Sequence, residues 1–196
     1  MEQALRLVGD YIASKGRNLT AVCVGGAVNL LLLRTRHMTH DIDMLGGLGN
    51  ASRILLDEAQ NYAQSQMGNR LGTDWLNTET EMWIAHQRGY IQELAERQNV
   101  VVFQHGGLTV LAAPWEYAFC TKIDRWGKGD QVRPYDLTDA AHYLNRWIRA
   151  HGGRPVPLRI VQRWAENWNT TMDRRSLLRE FNREYRRLFG SDGIIP

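Results

Sequence analysis

Residues 21–45, AVCVGGAVNLLLLRTRHMTHDIDML, constrain the fold of this chain more than any other stretch. An apolar, β-prone run is broken at Gly25-Gly26, resumes, and ends in Asp41-Ile42-Asp43. Acids at i and i+2 of a strand project from one face, with the residue between them anchored on the other. Two carboxylates that close repel, so the arrangement needs a cation, a shared proton or open water. A hard divalent cation such as Mg²⁺ meets that need through oxygen ligands. A solvent-facing strand edge, where paired carboxylates cost little, is the competing explanation.

The remaining elements follow from apolar spacing. Ala4, Leu5, Leu7, Val8, Tyr11 and Ile12 recur at helical intervals, which predicts an amphipathic helix ending near Gly16. Residues 19–24 read as a central strand, residues 27–34 as a helix and residues 40–45 as a second strand. Gly25-Gly26 is either a phosphate cradle at a helix start or a tight strand-to-helix turn. Gly46, Gly47 and Gly49 make a loop. Residues 51–67 read as a helix with Ile54, Leu55, Ala59, Tyr62 and Ala63 on its apolar side. A short helix over 88–97 precedes two strands, 100–103 and 108–112, joined through Gly106-Gly107 as a hairpin. Helices over 115–126, 137–150, 158–168 and 174–189 complete the chain, and residues 190–196 read as a loose tail.

A Gly-Gly turn after an apolar strand, then a helix, then Thr39-x-Asp41-Ile42-Asp43, resembles the nucleotidyltransferase superfamily with the polymerase-beta-like fold. Among its members the chain is most similar to the small AbiEii-toxin-like and minimal nucleotidyltransferases. The likeness is carried by residues 25–43, extends to the stretches around Trp75 and Lys122, and stops at about Arg149. It implies an α/β (α+β) fold: a short mixed sheet flanked by helices, followed by a helical C-terminal region. The expected division is a core over 1–126 and a helical region over 127–196, packed on it as a single compact unit.

The same resemblance implies a function. Asp41 and Asp43 are expected to be catalytic and to ligate Mg²⁺ or Mn²⁺, while Gly25, Gly26 and Thr39 bind the nucleoside triphosphate. Relatives carry an arginine two residues before the threonine; here that position is His37, and Arg36 beside it is the candidate. Residues 122–139, KIDRWGKGDQVRPYDLTD, are similar to a segment in which a helical lysine precedes a basic loop and a helix opening with an aspartate. Lys122 then takes the phosphate-facing role, and Asp136 or Asp139 that of the later acid. Asp136 reads equally well as the N-cap of the following helix. Asp74-Trp75-Leu76-Asn77 is similar to a rim segment of the smaller members and reads as a Trp-anchored loop. The implied reaction moves a nucleoside monophosphate from an NTP to a hydroxyl on RNA, protein or a small molecule. Residues 100–112 carry no acid where polymerase-like transferases place a third one. A catalytically degenerate nucleotide- or partner-binding module is therefore the alternative, as is the toxin of a toxin–antitoxin pair.

Charge and cysteine usage set the remaining bounds. Between Arg146 and Arg187 lie eleven arginines and four acids, so this basic end could meet an acidic partner or present a solvated helix face. Cys23 and Cys120 stand in apolar segments without metal-ligand spacing and read as buried thiols. The N-terminus carries acids among its apolar residues, unlike a signal peptide, and the longest apolar run is too short to span a bilayer. The expected location is the cytoplasm or nucleus, without membrane contact.

Overall fold

A computed structural model describes residues 1–39, 41–45, 49–77, 87–129 and 132–196. The loop read at Gly46-Gly47, the strand start at His40 and the continuation of the Trp75 segment through 78–86 lie outside the described residues. The fold is mixed α/β, and its contacts divide it into two compact units, Met1–Pro114 and Trp115–Pro196. That division falls earlier than the 126/127 boundary expected from sequence, because the helix opening at Trp115 packs with the helix opening at Asp136.

The first unit is built on a five-stranded mixed sheet. Its elements are α1 (Glu2–Ser14), β1 (Leu19–Val24), β2 (Ile42–Leu45), α2 (Asn50–Met67), β3 (Leu76–Asn77), α3 (Arg88–Gln98), β4 (Val101–His105) and β5 (Leu108–Ala112). The strand order is β3-β2-β1-β5-β4. β1 runs antiparallel to β2 and parallel to β5, β2 is parallel to β3, and β4 is antiparallel to β5. β1 therefore lies at the centre, which explains its nearly unbroken apolar sequence: Ala21, Val22 and Cys23 are fully buried. α1 buries Ala4, Leu5, Val8 and Ile12 against β4, β5 and α2. Its closest approach to the hairpin needs glycine on both sides. The Gly107 amide donates to Gly9 O at 2.9 Å, and a Cβ on Gly106, at φ 54°, would sit 2.5 Å from that same oxygen.

The structure corrects two details in this unit. Residues 28–33 form a π-helical segment, Val28–Leu33, where an ordinary helix was predicted. In α2, Ile54 and Tyr62 are exposed and the buried stripe is Leu56, Ala59 and Ala63. Small residues let α2 lie close on α1. Tyr62 instead packs its ring on Tyr11, with centroids 5.2 Å apart.

The second unit is helical: α4 (Trp115–Lys128), α5 (Asp136–Ala150), β6 (Val156–Pro157), α6 (Leu158–Asn167), α7 (Arg174–Ser176) and α8 (Asn182–Phe189), then β7 (Ile194–Ile195). α7 and α8 are joined by a π turn, Leu177–Phe181. The core is aromatic: Phe119 meets Trp164 and Phe181 edge-on, and Trp115 stacks on Tyr143. The tail is not loose. β7 pairs in parallel with β6, and Ile194 is buried. Asn182, itself buried, donates to Ile194 O at 2.7 Å and accepts from the Gly193 and Ile194 amides. A two-residue strand leaves no periodic signal, so the sequence could not announce it.

Glu184 ties α8 to α5. It accepts from Thr138 Oγ1 at 2.6 Å and from Arg187 Nε and Nη2 at 2.8 Å each. The Arg187 guanidinium foremost, assisted by Thr138, holds the Glu184 carboxyl down at about 2 against the opposing effect of burial. A depressed folded-state value adds stability that is complete above the unfolded glutamate range near ~4.3 and is lost as pH falls through the folded value. Acidification from pH ~5 to ~2 is expected to remove about 1–2 kcal/mol through this group, discounted for the exposure of Arg187. Chemical denaturation at both pH values, compared with Glu184→Gln, checks it: an equal acid loss in the variant would rule this origin out.

Candidate functional site

The first unit gathers most of the sequence-predicted site at one end of β1 and β2. β1 ends at Val24, and Gly25 turns the chain at φ 70°, a conformation favouring glycine. The turn is fastened by Asn29, fully buried, whose backbone amide and Nδ2 both donate to Gly25 O, at 3.3 and 3.2 Å. The same Asn29 accepts at Oδ1 from Thr35 Oγ1 (3.3 Å) and at its carbonyl from the Thr35 amide (3.0 Å). One side chain thus links the glycine turn to the return loop. Arg34 reverses the chain there with φ 57°.

The return loop brings Thr39 and Arg36 against Gly26. A Cβ on Gly26 would collide with Thr39 Oγ1 and lie 3.6 Å from an Arg36 guanidinium nitrogen. Thr39 Oγ1 donates to Asp41 O at 3.1 Å and approaches Asp41 Oδ1 at 3.4 Å. β2 begins at Ile42, so Asp41 stands just before the strand and not within it. Asp43 is registered opposite Val24 on β1 and beside Asn77 on β3. Its Oδ2 lies 3.6 Å from where a Gly25 Cβ would be. Asp41 and Asp43 are half-buried, while Ile42 between them is fully buried.

Gly25, Gly26, Arg36, Thr39, Asp41 and Asp43 therefore share one rim. The neighbouring Cys23 thiol is pushed up to about 12, by burial first and then by the Asp43 charge, so it is inert. Half-exposed carboxylates beside a glycine turn are hard oxygen donors of the kind Mg²⁺ or Mn²⁺ takes, and one or two suffice for a metal that keeps water and substrate phosphates as its other ligands. Among the described residues no group of three or more His, Cys, Asp or Glu is gathered for a metal.

The absence of Cβ at Gly26 is a specific requirement of this rim. Gly26→Ala is expected to cost about 1–3 kcal/mol by overpacking against Thr39. Thr39→Ala in the same chain should recover most of that loss, since it removes the colliding hydroxyl. Urea unfolding of the two single variants and the double variant measures the coupling, and simple additivity would sink the claim.

One rim residue escaped sequence reasoning: Asn29 was visible only as a polar interruption of an apolar run. Asn77, in the segment read as a Trp-anchored loop, lies beside Asp43 on β3. Trp75 does anchor it, being 1% exposed, and its carbonyl accepts from the Ile42 amide at 2.7 Å.

Lys122, Asp136 and Asp139 come together in the second unit. Lys122, 4% exposed on α4, donates to Asp136 Oδ1 at 3.0 Å and pairs with Asp139 Oδ2 at 2.9 Å. Arg125 Nε approaches Asp136 Oδ2 at 3.0 Å, but too obliquely for a hydrogen bond, so it contributes charge alone. Asp136 is not the N-cap, which is Tyr135. It is the first residue of α5, and its Oδ2 reaches back to accept from the Arg133 amide at 3.0 Å. Two cations thus face two carboxylates in a buried, charge-balanced clasp between α4 and α5.

The chain matches the family model described as "Domain of unknown function (DUF7582)" over residues 1–192 and belongs to that family. No curated protein and no solved structure matches it. Among the described residues no helix is long and apolar enough to cross a membrane.

Proposed function

We propose that this member of the DUF7582 family is a nucleotidyltransferase that moves a nucleoside monophosphate from an NTP to a hydroxyl acceptor. The observation that carries the reading is the convergence of Gly25 on Asp43 and of Gly26 on Thr39 and Arg36 at one rim. The resemblance of residues 25–43 to nucleotidyltransferases supports it. Asp41 and Asp43 would hold Mg²⁺ or Mn²⁺, which when bound offsets negative charge on the triphosphate. Glycines without Cβ atoms let phosphate oxygens approach the turn backbone. Arg36 adds a guanidinium suited to phosphate. Thr39 fixes Asp41 by its two hydroxyl contacts, so the carboxylate is oriented before substrate arrives.

Calorimetric titration with each of the four nucleoside triphosphates, with and without Mg²⁺, tests this. Metal-dependent binding is expected, and no binding of any triphosphate would overturn it. A second reading, nucleotide binding without transfer, is favoured by one observation. β5 flanks β1 with Leu108, Thr109, Val110, Leu111 and Ala112, and so offers no carboxylate. An α-phosphate-labelled triphosphate that binds yet transfers no label to RNA, protein or small hydroxyl acceptors would select that reading.

A further inference from the structure

We propose that the second unit carries a docking surface for single-stranded nucleic acid, formed by the arginines of α5 to α8. All eleven arginines between residues 146 and 187 are exposed. Arg186 pairs with Asp192 and Arg187 with Glu184, and the others make no ion pair among the described residues. The arrangement is costly to the fold. Arg175, Arg179 and Arg183 follow one another at four-residue steps, opposite the buried Leu177, Phe181 and Tyr185. Arg159 and Arg163 repeat the step on α6. Like charges four apart on a helix repel and weaken it. A face that merely needed solvation would interleave paired acids, as Glu184 does for Arg187.

The chemistry of the row selects the partner. No lysine occurs between residues 146 and 187. Guanidinium binds phosphate oxygens in a fork and stacks on unpaired bases, which ammonium does not. Among the exposed side chains of residues 174–187, Glu180 alone is not arginine. The arginines are presented by separate helices and by Arg154 in the connection before β6. A flexible strand can follow such a distribution where a rigid duplex cannot. This docking surface does not depend on the nucleotide site proposed above.

Fluorescence anisotropy with a labelled mixed-sequence single-stranded RNA, over a range of monovalent salt, tests the surface. Affinity should fall linearly with salt on logarithmic axes. Arg175→Gln/Arg179→Gln/Arg183→Gln should make that slope shallower by about 2 and weaken binding about a hundredfold at ~0.1 M salt. Its melting temperature should equal or exceed that of the wild type, since the repulsion along the row goes. Should that variant unfold, Arg159→Gln/Arg163→Gln is the substitute, with the slope shallower by about 1.4. Asp41→Asn/Asp43→Asn should bind the RNA as the wild type does, which separates this result from any failure of the nucleotide site. A wild-type slope in the arginine variants would overturn the proposal. So would tighter binding of a duplex DNA, or displacement by polyglutamate as effective as by RNA, which would assign an acidic protein instead.

Discussion

Lys122→Met is expected to destabilise the second unit by about 3–5 kcal/mol, the largest single-residue effect in the chain. The ammonium sits between Asp136 and Asp139, both at most 1% exposed, at 3.0 and 2.9 Å. Removing it leaves two buried carboxylates facing each other without the cation that both contact, and Arg125 meets Asp136 only obliquely. A methionine fills the volume but supplies no charge. Lys122→Met/Asp136→Leu/Asp139→Leu should recover much of the loss, because an apolar replacement of a whole buried ion cluster is often neutral. Urea denaturation followed by tryptophan fluorescence reads both. A Lys122→Met protein of wild-type stability that no longer binds nucleotide would instead make Lys122 the phosphate ligand that the family resemblance implies.

Replacing both rim acids is expected to act in the opposite sense on fold and function. Asp41→Asn/Asp43→Asn keeps shape and the Thr39 contacts but removes two neighbouring negative charges. Stability should be unchanged or higher, since the repulsion between them goes. Mg²⁺-dependent NTP binding should weaken roughly a hundredfold, at about 1.5 kcal/mol for each charge-assisted interaction removed. A thermal shift reports the same thing independently: Mg²⁺ with NTP should raise the wild-type Tm by mass action and leave the variant unmoved. An equal shift in both proteins would remove the carboxylates from the site.

The sequence spoke clearly where a single physical pattern dominated. β1 and the β4–β5 hairpin show continuous apolar runs bounded by glycines, and α5 and residues 174–189 carry unambiguous helical stripes. The rim was readable because glycine, threonine and aspartate at fixed spacing leave few geometries. What stayed hidden is which partner a polar side chain takes when several lie within reach. Asn29 hydrogen-bonds both Gly25 and Thr35, and Asp136 reaches back to Arg133 instead of capping α5. The exposure of Ile54 and Tyr62 follows from how close α2 comes to α1, which periodicity does not encode. Trp115 opens a helix that satisfies every local rule, and only its packing assigns it to the second unit.

The pairing of Leu19 with Leu108 carries a consequence for synthesis. The strand that ends at the glycine turn leaves the ribosome early, yet its parallel neighbour follows about 90 residues later, a wait of roughly 5–20 s at cellular elongation rates. Through that interval one hydrogen-bonding edge of a strand apolar but for Thr20 stands open to other nascent chains. Chaperone demand during translation should therefore exceed what the finished fold, with that edge closed, would suggest.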